Sequence, residues 1–166
     1  MKQEMAVAYT LKDFAPLIIL FSLIIGITLV QQWWCGWNLK EAMRVSMAAF
    51  FLIFGFFKVI NLTGFAQAYG MYDLIAKQFT WYAYIYPFIE LALGFAYLFK
   101  WRLPVVNWIT FALMLISAAG VFNELSHGRK LMCACLGVVF KVPMTYVTLA
   151  EDLIMAAMAA AMIFVG

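Results

Sequence analysis

Two cysteines separated by a single residue, Cys133 and Cys135, are the side chains in this sequence best suited to chemistry. Outside a helix and beside Gly137, such a pair can close a small, strained disulfide ring. Strained or exposed disulfides are the more oxidising ones and exchange readily with other thiols. The same two sulfurs suit a soft metal such as copper(I) or mercury, with His127 and Met132 as helpers. Thiol exchange and soft-metal handling therefore stand as alternative uses of one segment. His127 is the sole histidine, and a lone loop histidine is by default a solvated one.

The second group is ionic. Lys58, Glu90, Glu151 and Asp152 interrupt stretches that are otherwise apolar. A charge held at the centre of a bilayer costs about 2.5–3.5 kcal/mol on insertion scales, so each needs a reason. Lys58 beside a carboxylate offsets part of the desolvation of both. Glu90 lies deep in Tyr84-Ile85-Tyr86-Pro87-Phe88-Ile89-Glu90-Leu91, where reaching water is difficult. An ion pair with Lys58 and a proton-handling role both account for it. For the other three the plainer reading is that Lys58 snorkels, while Glu151 and Asp152 favour the positive end of a helix. One lysine cannot neutralise three carboxylates, so at least one is expected at the interface or protonated.

The elements that position these groups follow from composition. Of 166 residues, 67% are hydrophobic and 11% charged, against about 25% charged in soluble domains. A water-soluble globule is excluded, and the 16 Phe, 8 Tyr and 6 Trp exclude disorder. The net charge of +3 is scattered rather than gathered on one face, so nucleic acid is not an expected partner and the lipid bilayer is. A span needs about 20 apolar residues, and the sequence predicts five: 14–34, 42–62, 81–99, 104–122, and one from beyond Pro143 to the C-terminus. The first lacks a small-residue cleavage site and reads as an uncleaved span. The last has only 14 uncharged residues, 153–166, roughly 21 Å of helix. It must start near Met144, which draws Glu151 and Asp152 into its first half.

Five spans place the 63–80 and 123–143 loops on one side, and the 35–41 and 100–103 loops on the other. All four problem charges then share a leaflet with Cys133 and Cys135. Cys35 falls on the opposite side, too far to bridge to them, since a disulfide needs Cα atoms within about 7 Å; no role is expected for it. The stripe of Met155, Met158 and Met162 reads as helix packing. Lys and Arg number six in the loops and terminus of the cysteine side and four on the other, which points to the cysteine side as cytoplasmic.

Three ordered motifs resemble the DoxX superfamily, especially its MauE branch. Arg44…Phe54-Gly55-Phe56-Phe57-Lys58…Gly64-Phe65-Ala66 is similar to the opening helix of that family. Pro87…Glu90-Leu91-Ala92-Leu93-Gly94 is similar to the next helix, and Cys133-Ala134-Cys135-Leu136-Gly137 to the segment before the last. The resemblance implies an all-α integral membrane protein, a four-helix DoxX-like bundle over about 42–166, with 1–41 adding one extra N-terminal transmembrane helix. It also implies a redox association. MauE is linked to maturation of the disulfide-rich methylamine dehydrogenase, and some DoxX relatives belong to thiosulfate:quinone oxidoreductases. It reverses the orientation given by charge counting and puts the cysteine pair outside the cell membrane, where disulfides persist.

The functional expectation is a membrane thiol–disulfide redox protein. Cys133 and Cys135 exchange electrons with an extracytoplasmic thiol or redox protein, and Lys58 and Glu90, with Glu151 and Asp152, shape a polar site in the membrane. A quinone is a candidate cofactor there. The alternatives are soft-metal handling by Cys133, Cys135, His127 and Met132, and a non-catalytic subunit of a membrane complex.

Overall fold

The computed structural model describes residues 15–128 and 146–165. These form six helices and no strand: α1 (Ala15–Cys35), α2 (Leu39–Ile60), α3 (Leu62–Tyr69), α4 (Thr80–Leu98), α5 (Leu103–Ser126) and α6 (Tyr146–Val165). Among the described residues α1, α2 and α5 combine the length and mean hydropathy that a membrane crossing needs. α4 and α6 reach 19 and 20 residues. The protein is thus an all-helical membrane protein. All six tryptophans are exposed, and Trp33, Trp34, Trp81 and Trp101 stand at or beside helix ends, as aromatics of a membrane interface do.

Helix boundaries follow local chemistry. α2 begins three residues earlier than the apolar run suggests, because the Asn38 side chain accepts from the backbone N–H groups of Lys40 and Glu41 and so caps the first turn. Asn61 ends α2 and starts α3, its Oδ1 accepting from the Gly64 N–H at 3.1 Å. The turns after α3 are organised by the buried Asp73. Its Oδ1 accepts from the N–H groups of Ile75 (3.0 Å) and Ala76 (2.8 Å), and its Oδ2 from the Tyr69 hydroxyl at 2.9 Å. Burial pushes the Tyr69 phenol well above its ordinary value, which keeps that proton in place. Pro104 sits in the first turn of α5, where its missing N–H costs nothing.

The closest pairings are α2 with α4 and α5 with α6, while α1 packs along α2. α2 and α4 approach through small residues. A Cβ on Gly94 would lie 2.8 Å from Leu52 Cγ and 3.1 Å from the Leu52 backbone nitrogen. At one end of this pair Arg44 donates to the Tyr97 and Leu98 carbonyls, at 2.6 and 3.2 Å, and pairs with Glu41 at 2.8 Å. A guanidinium thereby satisfies the last carbonyls of α4, which have no partner within their own helix. Tyr97 ties α4 to α5, its hydroxyl lying 2.9 Å from Asn107 Oδ1 and 3.1 Å from Thr110 Oγ1. The turn before α4 is held to α5 by the ion pair of Lys77 with Glu124.

α1 is the least embedded of the three long apolar helices. Only 17% of its apolar window is buried, against 50% in α2 and in α5. It is held by Phe21 against Phe50 and Phe54, by a 2.9 Å hydrogen bond between the Thr28 and Ser46 hydroxyls, and by the buried Gln32, which accepts from the Asn38 N–H.

Gly120 offers a direct check of this packing. A Cβ there would meet the Tyr72 carbonyl oxygen at 2.7 Å, whereas one on Gly26 would meet nothing within 4 Å. Gly120→Ala is expected to destabilise the detergent-solubilised protein by about 1–3 kcal/mol, and Gly26→Ala to be neutral or slightly stabilising. Thermal unfolding followed by circular dichroism reads both. Equal midpoints for the two variants would refute the close approach of α5 to the 70–79 turns.

Candidate functional site

The site begins with a proline. Pro87 lies inside α4 and removes one helical hydrogen bond. One turn later Glu90, 1% exposed, faces α2. Lys58, in the last turn of α2, is 6% exposed and places its Nζ 2.6 Å from both Glu90 carboxylate oxygens. The ammonium also lies 5.2 Å from the Tyr86 ring centre and 5.5 Å from that of Phe65. Two aromatic faces thus supplement the carboxylate in replacing its water. Of the two readings left open for Glu90, the ion pair is the one the geometry contains. Lys58 does not snorkel; it points into the bundle.

Lys58, Glu90, Glu151 and Asp152 border a single small space, together with Tyr69, Tyr86, Ser117 and Thr148. Its volume is about 20 Å³, a size that admits one water and no larger group. The Asp152 carboxylate accepts from the Ser117 hydroxyl at 2.8 Å. Glu151 is 7% exposed, and its Oε1 has no hydrogen-bond partner among the described residues. Among the described residues the three acids therefore differ in what faces them: an ammonium for Glu90, a hydroxyl for Asp152, and no donor for one oxygen of Glu151. Neighbouring acids in such unlike settings, within reach of one water position, form an arrangement that can hold and pass a proton.

Cys133, Cys135 and Met132 lie outside the described residues. His127, at the end of α5, is exposed, with its Nδ1 2.7 Å from the Asn123 carbonyl. Among the described residues no group of three His, Cys, Asp or Glu could hold a metal. Cys35 is an exposed free thiol at the end of α1. Met155 and Met162 are buried and Met158 packs partly against the core.

Sequence reasoning missed Ser117, Thr148 and the aromatic lining of Lys58. Ser117 had one available signal, a hydroxyl following the apolar run Leu113-Met114-Leu115-Ile116. Phe65 stood only in the Gly64-Phe65-Ala66 motif, with nothing to place it over Lys58, because the short helix α3 that presents it lies in a stretch read as a loop.

A helical membrane protein whose neighbouring helices share a buried lysine–glutamate pair is the class these features define. The chain belongs to the family described as methylamine utilisation protein MauE, whose match covers residues 37–165 and so includes Lys58, Glu90, Glu151, Asp152 and both cysteines of the pair. No curated protein and no solved structure matches it. α1 precedes the matched region.

The pair predicts a specific pattern of non-additivity. Glu90→Leu leaves a buried ammonium and Lys58→Met a buried carboxylate, each expected to cost about 3–5 kcal/mol. The double variant removes both charges and is expected to unfold at a higher temperature than either single one. Thermal unfolding of the four proteins in one detergent decides it; additive losses in the double variant would show that the two charges do not depend on each other.

Proposed function

We propose that this protein is a membrane thiol–disulfide redox protein that serves disulfide formation or electron transfer on the outer side of the cell membrane. The observation that carries the reading is the position of the buried charge cluster. Ser117 on α5 and Thr148, Glu151 and Asp152 on α6 border it, so it lies in the halves of the two helices that are nearer the segment containing Cys133 and Cys135. Family membership supports the reading, since methylamine utilisation requires electron transfer, and the ordered motifs extend the likeness to the wider DoxX superfamily.

In this scheme the Cys133–Cys135 disulfide accepts two electrons and two protons from a client dithiol, which becomes a disulfide. The resulting thiol pair is reoxidised by a quinone, which takes up the same two electrons and two protons and becomes a quinol. Glu90, Glu151 and Asp152, with Lys58 fixing the first, supply a route for the protons within the membrane. All three long apolar helices, α1, α2 and α5, and the shorter α4 and α6 cross the bilayer in this reading, giving five spans in the inner membrane with the cysteine segment outside. The four matched helices form the functional bundle and α1 is an addition to it. An extracytoplasmic thiol protein is the partner, within or apart from a larger membrane complex.

Thiol trapping in native membranes tests the chemistry: the cysteine pair is expected to be found partly oxidised, and Cys133→Ser with Cys135→Ser to leave client thiols reduced. A pair that stays fully reduced, with client oxidation unchanged in the double variant, would sink the proposal. The topology is tested separately in a Cys35→Ser background. A membrane-impermeant thiol reagent applied to intact cells after mild reduction is expected to label Cys133 and Cys135, and protection until lysis would place them inside.

A further inference from the structure

Besides an apolar groove of about 380 Å³ between α1, α2 and α6, whose border includes Phe50 and Glu151, a furrow of about 390 Å³ runs along the outer face of α4. Ala92 and Ala96, one turn apart, leave the hollow, and the exposed rings of Phe95, Phe99 and Trp101 stand around it. Phe95 and Phe99 are stacked, with ring centres 6.3 Å apart. From Ala92 to Lys100 the chain rises roughly 12 Å. One leaflet contributes about 15 Å of hydrocarbon, so with α4 crossing the bilayer the furrow runs through most of one leaflet.

The turn at its mouth fixes what stands there. Phe99, Lys100, Trp101 and Arg102 join α4 to α5, and two of the four hold left-handed backbone, Lys100 at φ 56° and Arg102 at φ 44°. That conformation favours glycine, because a Cβ crowds the following carbonyl. The Trp101 N–H reaches back to the Ala96 carbonyl at 2.9 Å and the Lys100 N–H to that of Tyr97 at 3.4 Å, which closes α4 through a left-handed residue. Trp101 is thereby held at the end of the furrow, and the Arg102 guanidinium carbon lies 5.8 Å from its ring centre. Lys40, Arg44, Lys100 and Arg102 stand at this end of the bundle against one acid among the described residues, Glu41. Glu41 already pairs with Arg44 at 2.8 Å and Lys100 at 3.0 Å, while Arg102 is exposed beside the furrow.

We infer that the furrow and Arg102 form a binding site for an anionic phospholipid, one acyl chain lying along Ala92 and Ala96 and the phosphate on the Arg102 guanidinium. Ala92, Phe95, Ala96 and Phe99 carry no polar side-chain atom, so the part of the occupant held there is hydrocarbon. The mouth is cationic, so the head is an anion, and a guanidinium takes a phosphate through two parallel hydrogen bonds. Trp101 stands where an indole suits, at the boundary between chain and headgroup. A zwitterionic lipid would bring an ammonium to an end of the protein already in positive excess, whereas an anionic one is drawn to it. Neither the cysteines nor a redox step enters this binding, which therefore goes beyond the proposed function.

The test uses the full chain purified in neutral detergent and titrated with dioleoyl phosphatidylglycerol or dioleoyl phosphatidylcholine. The two lipids share their chains and differ in head charge, and native mass spectrometry counts those retained. Phosphatidylglycerol is expected to bind roughly tenfold more tightly, the difference a hydrogen bond to a charged group makes. Arg102→Gln is expected to abolish the preference with an unchanged circular dichroism spectrum, since the Arg102 side chain caps nothing. Lys40→Gln removes an equal charge from the exposed start of α2 at the same end, and is expected to keep the preference. Ala92→Phe, at an exposed position of the furrow, is expected to weaken phosphatidylglycerol binding several-fold in a folded protein. Equal affinities for the two lipids on the unaltered protein would overturn the inference. So would equal losses in Lys40→Gln and Arg102→Gln, the mark of a diffuse field in place of a site, or full affinity in a folded Ala92→Phe. A dimer that Ala92→Phe breaks, visible in the same spectra, would give the furrow to a second copy of the chain and overturn it too.

Discussion

An ammonium and a carboxylate held 2.6 Å apart between α2 and α4 set the terms for the rest of this structure. Neither charge could be kept in a bilayer alone, and the pair together still has to recover the several kcal/mol that each ion loses on leaving water. That recovery requires α2 and α4 to be close and in fixed register. The glycine approach at Gly94 supplies the closeness, and Arg44, bound to the final carbonyls of α4, fixes the register at the opposite end. α3 then has a task that its eight residues would not otherwise justify. It brings Phe65 and Tyr69 over the lysine end of the pair and leads into the turns anchored by Asp73.

Once Lys58 is committed to Glu90, the acids on α6 are left to other arrangements. Asp152 uses Ser117 of the adjacent helix α5, which couples the ionic cluster to the α5–α6 pairing. Glu151 has no such donor for one oxygen among the described residues, and it borders both the small inner space and the apolar groove.

Much of this was legible in the sequence because a bilayer imposes length and apolarity, and both can be counted. The span read as 14–34 became Ala15–Cys35, and that read as 81–99 became Thr80–Leu98. Where boundaries moved, local chemistry moved them: Asn38 drew α2 back to Leu39, and α5 ran on to Ser126 because the polar residues Asn123 and Glu124 lie within its last turns. The four charges were conspicuous because they broke an apolar pattern, and the same argument from cost left pairing of Lys58 with a carboxylate open beside snorkelling, between which the 2.6 Å contact with Glu90 decides. α3 could not be read this way. Eight residues of mixed character in a connecting segment carry no span signal, and their helix is stabilised by Asn61 capping and by packing of Phe65 and Tyr69 on Tyr86.

The two cavities differ because only one of them is lined by the buried ion pair. The inner space is polar and water-sized; the groove is apolar and ring-sized, and Phe50 and Glu151 stand between them. A ring admitted to the inner space would have to displace Tyr69, Tyr86 or the Lys58–Glu90 pair, dismantling the contact that holds α2 to α4. Leaving the recess outside that wall keeps the ion pair intact. Division between a tight ionic core and a lateral apolar recess is therefore a consequence of burying the charges in the first place.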